Sequence, residues 1–463
     1  MTNLLWFRRD LRLDDHPALL AAAGGGEHEV LGVFVADENL LTPSGSPRRA
    51  FLAGCLRELS AAMGGRLLVT TGRPEQVIPA LAERIGAAAV HVSADFGPYG
   101  RRRDQTVAAA LAKTEIGWQE TGSAYAIAPG RVRKPDGTPY AVFTPFFRAW
   151  TEHGYRGPAG PPGTIRWIDP RELSGDFGEA LAQIDATVPA RLTLPDPGAQ
   201  AATDSFEKFL TGPVSAYDTE RDRPDHPGTS RMSFYLKWGC IHPRTLLAAL
   251  ATKRSAGAAA YRRELAFREF YADVLLHRPD SPRVSVDPII DEMGWDTGPI
   301  ADERLAAWQA GRTGYPYIDA GMRQLLADGW IHNRVRMGVA SFLIKDLHLS
   351  WQLGAHHFMH HLVDGDLASN THGWQWVAGS GAQAAPYYRI FNPIGQGEKF
   401  DPAGDYVRRY VPELAGVAGK AVHRPWELPD GPPAGYPAPI VDHATERAES
   451  LRRWEQRPRV TRS

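Results

Sequence analysis

Four short apolar runs punctuate the start of the chain: LLWF at Leu4–Phe7, VLGVFVAD at Val30–Asp37, RLLVTT at Arg66–Thr71 and AAVHVS at Ala88–Ser93. Alanine-rich or amphipathic stretches of helix length separate them. Apolar runs alternating with helical stretches predict buried parallel strands joined by crossover helices, so residues up to about Thr121 read as a parallel, Rossmann-like α/β sheet. A dinucleotide site would place GxGxxG directly after the first strand. Here that strand runs into RRDLRLDDHP, and Gly24–Gly26 follow the first helix, so the fingerprint is missing.

Between about Thr151 and Pro197 the chain turns rich in proline and glycine (GYRGPAGPPGTIRW, LPDPGAQ), which predicts a long connector. Beyond Thr203 the strand signals fade and helical patterns carry most of the tryptophans, predicting a second, all-α domain. The expected division is an α/β domain over 1–130, a connector over 131–202 and a helical domain over 203–463, the last ending in a proline-rich tail with one short helix.

Charge changes this picture little. The 52 basic and 53 acidic residues nearly cancel, so a polyanion would have to meet a local basic patch. The two cysteines, Cys55 and Cys240, form no CxxC pair and are too few for a cysteine-ligated zinc or iron-sulfur site, which fits a reducing cytoplasm. Charges interrupt the N-terminus where a signal peptide needs its apolar core, and no apolar run of about 18 residues occurs, so no membrane segment is expected.

The candidate chemistry lies in the helical part. At about 100° per residue, YRRELAFREFYADVLL brings Tyr261, Glu264, Arg268 and Tyr271 into one arc with Phe267 at its edge. A solvated face of ordinary ion pairs accounts for this equally well. HNRVRMGVASFLIKDL groups Asn333, Arg336, Met337 and Ala340, although methionine at such a place is more often core filler. GTSRMS, Gly228–Ser233, offers hydroxyls and backbone amides at a helix start, suited to phosphate or to simple N-capping. In HHFMH, His356 and His360 have the spacing of HExxH, but His357 stands where the glutamate should be, so no metal site is expected. DGDLASNTHGWQWVAG, Asp364–Gly379, packs acids, an amide and two indoles together without a nucleophile, an inventory that suits an aromatic redox cofactor.

In order and spacing, LLWFRRDLRLDDHPAL, GTSRMSFYLKWG, RRELAFREFY, GYPYIDAGMRQL, GWIHNRVRMGVASFL, DGDLASNTHGWQW and APYYRIFNPIGQGEKFDPAGDYVRRYVPEL resemble the photolyase/cryptochrome family over nearly the whole chain, and most of all its bacterial class I cyclobutane pyrimidine dimer photolyases. The resemblance implies FAD held in the helical domain, light-dependent repair of UV-damaged DNA, and a cytoplasmic monomer with no obligate protein partner. It implies that Tyr217, Thr229, Ser230, Arg231, Met232 and Ser233 hold the diphosphate and ribityl chain, with Tyr261 and Glu264 also beside the cofactor. Arg336 and Asp364, next to Gly365, are implied to pair against the isoalloxazine, with Asp366 at its pyrimidine edge and Asn370 beside N5. Glu264, Asn333, Met337 and Trp376 are implied to line the pocket for a flipped-out dimer. Phe267, Arg268, Arg334, Arg389 and Lys399 are implied to contact DNA.

Where the best-known relatives have tryptophan, this chain has Tyr261 and Phe267. The implied electron chain runs through Trp374 and Trp351 to Trp295, with Trp308 as the substitute for the last. For an antenna, Tyr99 and Gly100 stand where folate-binding members have an Asn-Glu pair. PYGR, Arg48, Asp95 and Lys237 resemble members that bind 8-hydroxy-5-deazaflavin, with methenyltetrahydrofolate or no antenna as the alternatives. The rival reading of the whole chain is a cryptochrome-like blue-light receptor without repair activity.

Overall fold

The computed structural model describes residues 1–173, 177–190, 192–381 and 388–457. The four apolar runs form β1 (Thr2–Phe7), β2 (Glu29–Ala36), β3 (Leu67–Thr71) and β4 (Ala89–Ala94), joined by β5 (Gly117–Ser123) and the two-residue β6 (Arg166–Trp167). All pair in parallel in the order β3-β2-β1-β4-β5, with β6 beside the start of β2. β1 from Leu4 and β2 from Val30 are apolar and buried because helices cover both faces of the sheet. β5 is an edge strand, GWQETGS, so it needs no two-sided apolar run and gave no hydrophobic signal. Helices Pro17–Ala23, Pro74–Arg84 and Pro98–Leu111 open on proline, whose fixed φ suits a first turn where its missing N–H is no loss.

The stretch expected to be a connector is far more ordered than its composition suggests. It carries helix Phe143–His153, strand β6 and helix Phe177–Ile184, and the expected boundary at 202/203 falls inside helix Ala199–Thr211. Phe143, Phe146 and Trp150 are buried, and Phe143 stacks flat on Phe267 of helix Ala256–His277 with centroids 3.4 Å apart. One hydrophobic core therefore runs unbroken from Leu5 and Phe7 of the sheet to Phe270 and Val274 of the helices. A second core, around Trp308, Tyr317, Trp351 and Trp374, belongs to the helical part alone.

Sheet and helices meet across buried polar contacts. Asp15 receives Arg244 at 2.8 Å and the Thr245 hydroxyl at 3.1 Å, while Arg12 donates to the Gly239 carbonyl at 3.0 Å. Glu269 accepts the N–H groups of Ala126 and Ile127 and the Trp150 indole, the last at 2.6 Å, and Asp273 accepts Gly130 N–H at 2.6 Å. Gly239 is left-handed at φ +66°, and a Cβ there would overlap the backbone of Arg9 and Asp10, so only glycine lets the two parts approach. The same junction brings Cys55 and Cys240, distant in sequence, to 3.6 Å between sulfurs.

Glu269→Ala leaves three donors without their acceptor in a closed junction. We expect a loss of about 3 kcal/mol or more in urea unfolding at unchanged m-value. An unmoved midpoint would show that the junction does not depend on this carboxylate.

Candidate functional site

The GTSRMS loop is built for something other than capping. Met232 occupies the N-cap of helix Ser233–Trp238, and no side chain caps that helix. Arg231 adopts a left-handed φ of +51°, and its guanidinium lies 4.6 Å over the Trp330 ring, whose indole donates to Ser233 Oγ at 3.2 Å. Ser230 Oγ is 2.8 Å from Tyr261 Oη, and the Tyr217 ring meets Tyr261 edge-on at 5.2 Å. Loop hydroxyls, Tyr217 and Tyr261 thus form one wall, with Thr229 partly exposed within it.

The DGDLASN segment forms a second wall. Arg336 Nη2 donates to Asp364 Oδ2 at 2.8 Å, and its Nε is held by the Ile331 carbonyl at 2.8 Å. The other Asp364 oxygen, Oδ1, is buried with no protein partner among the described residues, which is unusual for a carboxylate and leaves it open to a donor from a bound group. A Cβ on Gly365 would overlap the Arg48 guanidinium. Asp366 caps helix Leu367–Ala378 by accepting Ser369 N–H at 3.0 Å, and it accepts Arg9 Nη2 at 2.7 Å. Burial opposes its ionisation, but Arg9, Lys237 and Arg268 together hold this carboxyl well below the usual range. One turn on, Asn370 Nδ2 donates to the Ala355 carbonyl at 3.0 Å, which leaves its Oδ1 without a protein partner among the described residues.

Glu264 pairs with Arg221 at 2.8 Å, and Arg221 also lies 5.6 Å over Tyr217. Burial pushes the Glu264 carboxyl up against the pull of Arg221. Asn333 is exposed at the start of helix Asn333–Lys345, and Met337 and Trp376 are half-buried. Trp374 and Trp351 are buried, the latter donating to Ser285 Oγ at 2.9 Å. Trp308 is fully buried, 6.1 Å edge-on to Trp374, so of the two outer alternatives only Trp295 meets solvent.

Two residues expected to face DNA lie elsewhere. Arg268 donates to the carbonyls of Ala124 at 2.9 Å and Leu236 at 3.2 Å and covers the Tyr125 ring, so its guanidinium ties the sheet to the helices. Phe267 has one face closed by Phe143. A helical wheel gives direction only, and it could not register that the connector helix covers this part of the face. Arg334 is half-buried, paired with Asp222 at 2.7 Å over the Phe400 ring. Lys399 is exposed. The Arg389 carbonyl is held by Lys345, next to residues 382–387, where part of the APYYRIFNP motif lies outside the described residues. Arg9 and Arg221 escaped the sequence reading because their partners, Asp366 and Glu264, are distant in sequence.

In the α/β part, Arg8, Arg9, Asp10, Ser93, Ala94, Asp95, Ala124 and Tyr125 surround a small cavity at the C-terminal ends of β1 and β4, where the strand order reverses and α/β folds commonly bind ligands. Asp95 and Ala94 also line a groove of about 610 Å³ beside Trp118 and Arg131. Asp95 accepts Gly97 N–H at 3.0 Å, and a side chain at residue 100 would overlap its carboxylate. Arg48 donates to the carbonyls of Met359 and Leu362. Burial and the nearby Arg9 push Lys237 down to about 7, with Asp366 opposing. His356 and His360 are exposed, no metal-ligand cluster of three or more groups occurs among the described residues, and no described helix is long and apolar enough to cross a membrane.

Comparison with known proteins agrees with this two-part design. The DNA photolyase family model matches residues 3–163, and the model for the FAD binding domain of DNA photolyase matches 261–456. The deoxyribodipyrimidine photo-lyase of Streptomyces griseus is 41% identical over 452 residues, 96% of each chain. The crystal structure of a bacterial class III photolyase from Agrobacterium tumefaciens superposes with a TM-score of 0.91 at 36% identity, covering 98% of this chain and 97% of that one. An archaeal photolyase from Sulfolobus tokodaii, solved with two FAD molecules and discussed as implying a novel light-harvesting cofactor, superposes with a TM-score of 0.86 at 28% identity over 98% of this chain and 100% of that one. A parallel sheet joined to an FAD-binding helical domain, matched along almost its full length by photo-lyases, places this chain in the photolyase/cryptochrome family.

Proposed function

We propose that the protein is a light-dependent DNA repair enzyme that splits cyclobutane pyrimidine dimers. The observation that carries this is the pair of acceptors unmet among the described residues, buried Asp364 Oδ1 and Asn370 Oδ1, which lie just before and just inside the start of one helix. Reduced flavin carries N–H donors along one edge, and such open acceptors suit it. When bound, FAD supplies the light-driven electron transfer on which such repair runs.

On this reading the protein's part is to bind, orient and keep dry. Arg336, Asp364 and Asp366 would hold the ring system, and the Asn370 amide oxygen, open among the described residues, would accept a ring N–H and so favour the reduced form. Tyr217 and the Thr229–Ser233 loop hold the diphosphate and ribityl chain. Glu264, Asn333, Met337 and Trp376 receive the flipped dimer, whose poor stacking lowers the cost of extrusion. Arg334, Arg389 and Lys399 face the flanking phosphates. Met337 has no proton to give, so a lesion whose repair needs a proton donor at that place is a poor substrate. Trp374, Trp351 and Trp295 would supply the path by which electrons reach a bound cofactor.

The purified, reduced protein should restore thymine absorbance to a dimer-containing oligothymidylate under blue light and not in the dark. A flavin-binding light receptor would leave the dimers intact. Glu264→Ala should lower the number of dimers repaired per absorbed photon several-fold while keeping most of its FAD, because a hydrogen bond to the dimer made inside a dry pocket is lost. A wild-type yield in Glu264→Ala would remove that residue from the reaction.

For the antenna we propose 8-hydroxy-5-deazaflavin, with Lys237 and Arg48 answering its negative charge and Asp95 beside it. Support comes from Gly100: with Asp95 where it is, the glutamate of folate-binding members would collide. Reconstitution should give a near-visible band that stays with the protein and sensitises repair, weakened in Lys237→Met; retention of folate alone would reverse the assignment. Lys237 also sets a pH dependence in the protein without chromophore. Unfolded, its amine holds a proton up to 10.5, but folded only to about 7, so the unfolded state binds more protons in between and stability rises with pH across that window. Thermal melts should show this rise to be smaller in Lys237→Met.

A further inference from the structure

Arg8 and Arg9 are adjacent at the C-terminal end of β1, yet they serve opposite sides. Arg8 turns into the α/β part, with Nη1 2.6 Å from both Asp104 oxygens and Nη2 on the Ser93 carbonyl. Arg9 turns across the junction: Nη2 reaches Asp366 Oδ2 at 2.7 Å, and Nε lies 3.4 Å from the Lys237 carbonyl. Its own backbone is pressed against Gly239, which fixes where the guanidinium starts. Asp366 is the N-cap of helix Leu367–Ala378, the helix that presents Asn370, Trp374 and Trp376. Arg9 is the ion-pair partner of Asp366 among the described residues, and their side chains are only 25% and 12% exposed, so salt screens the pair weakly. Arg9 is also among the residues around the β1/β4 cavity.

We propose that Arg9 is a positioning residue for the flavin site, supplied by the α/β domain. It fixes the Asp366 carboxylate and, through the cap, the turn that carries Asn370. This rests on the flavin reading given above. A carboxylate already N-capping a helix can point either along the cap or away from it, and a guanidinium 2.7 Å away selects one orientation.

The test uses the full-length protein carrying FAD. Arg9→Gln keeps a hydrogen-bonding side chain and loses the charge; Arg9→Lys keeps the charge. We expect Arg9→Gln to retain FAD, to shift the visible spectrum of the bound flavin, and to change several-fold the rate at which photoreduced flavin reoxidises in air. Arg9→Lys should return both readouts most of the way to wild type. In an Asp366→Asn background, Arg9→Gln should add nothing, because the pair is already broken. A lower melting temperature with an unmoved spectrum and reoxidation rate would reduce Arg9 to a structural latch and overturn the proposal. If no FAD is retained by the wild type, the flavin reading itself has failed.

Discussion

A charge taken out of water must find a partner, and at the seam between sheet and helices nearly every such partner comes from the other side. Asp15 of the α/β part takes Arg244 of the helical part, and Glu269 and Asp273 of the helices take backbone N–H groups from the 126–130 segment. Leaving one of these carboxylates unpaired would cost several kcal/mol, so the two parts cannot slide by even a fraction of a hydrogen-bond length without penalty. The hydrophobic core crossing the same seam supplies bulk attraction, but attraction of that kind is non-directional. The polar pairs set the register.

That register matters because the flavin site we propose is assembled at the seam and beside it. Helix Leu367–Ala378 begins on Asp366, held from β1, and carries Asn370 and the buried Trp374. The loop at Thr229–Ser233 leads into the short helix ending at Trp238, whose following Gly239 is packed on Arg9. Asp366 and the helix after the Thr229–Ser233 loop are therefore referenced to a common frame, the end of strand β1. Loops alone would place them with far less precision.

Much of this was legible in advance. The four apolar runs became the four central strands because a strand covered on both faces needs unbroken apolar side chains. Tyr261 and Glu264 share a wall with Tyr217 and the GTSRMS loop, as the helical period and the family resemblance together imply. The misses have one source. β5 is an edge strand with polar faces, the connector helix Phe143–His153 hides among prolines and glycines, and Arg268 and Phe267 sit on the right arc but beneath other chain.

The sequence by itself determined the local terms: which stretches are strands or helices, which residue types are available for chemistry, and the order of motifs that marks the family. Those follow from periodicity, turn residues and spacing, which involve neighbours within a few positions. Only the tertiary structure decided which side of each helix is free, that Cys55 lies against Cys240, that Arg8 and Arg9 part company, and that Asp364 keeps one oxygen unpaired among the described residues. Those are pairings between residues tens to hundreds of positions apart. They are selected by the cost of burying a polar group without a partner, a quantity that exists only once the chain has closed around it.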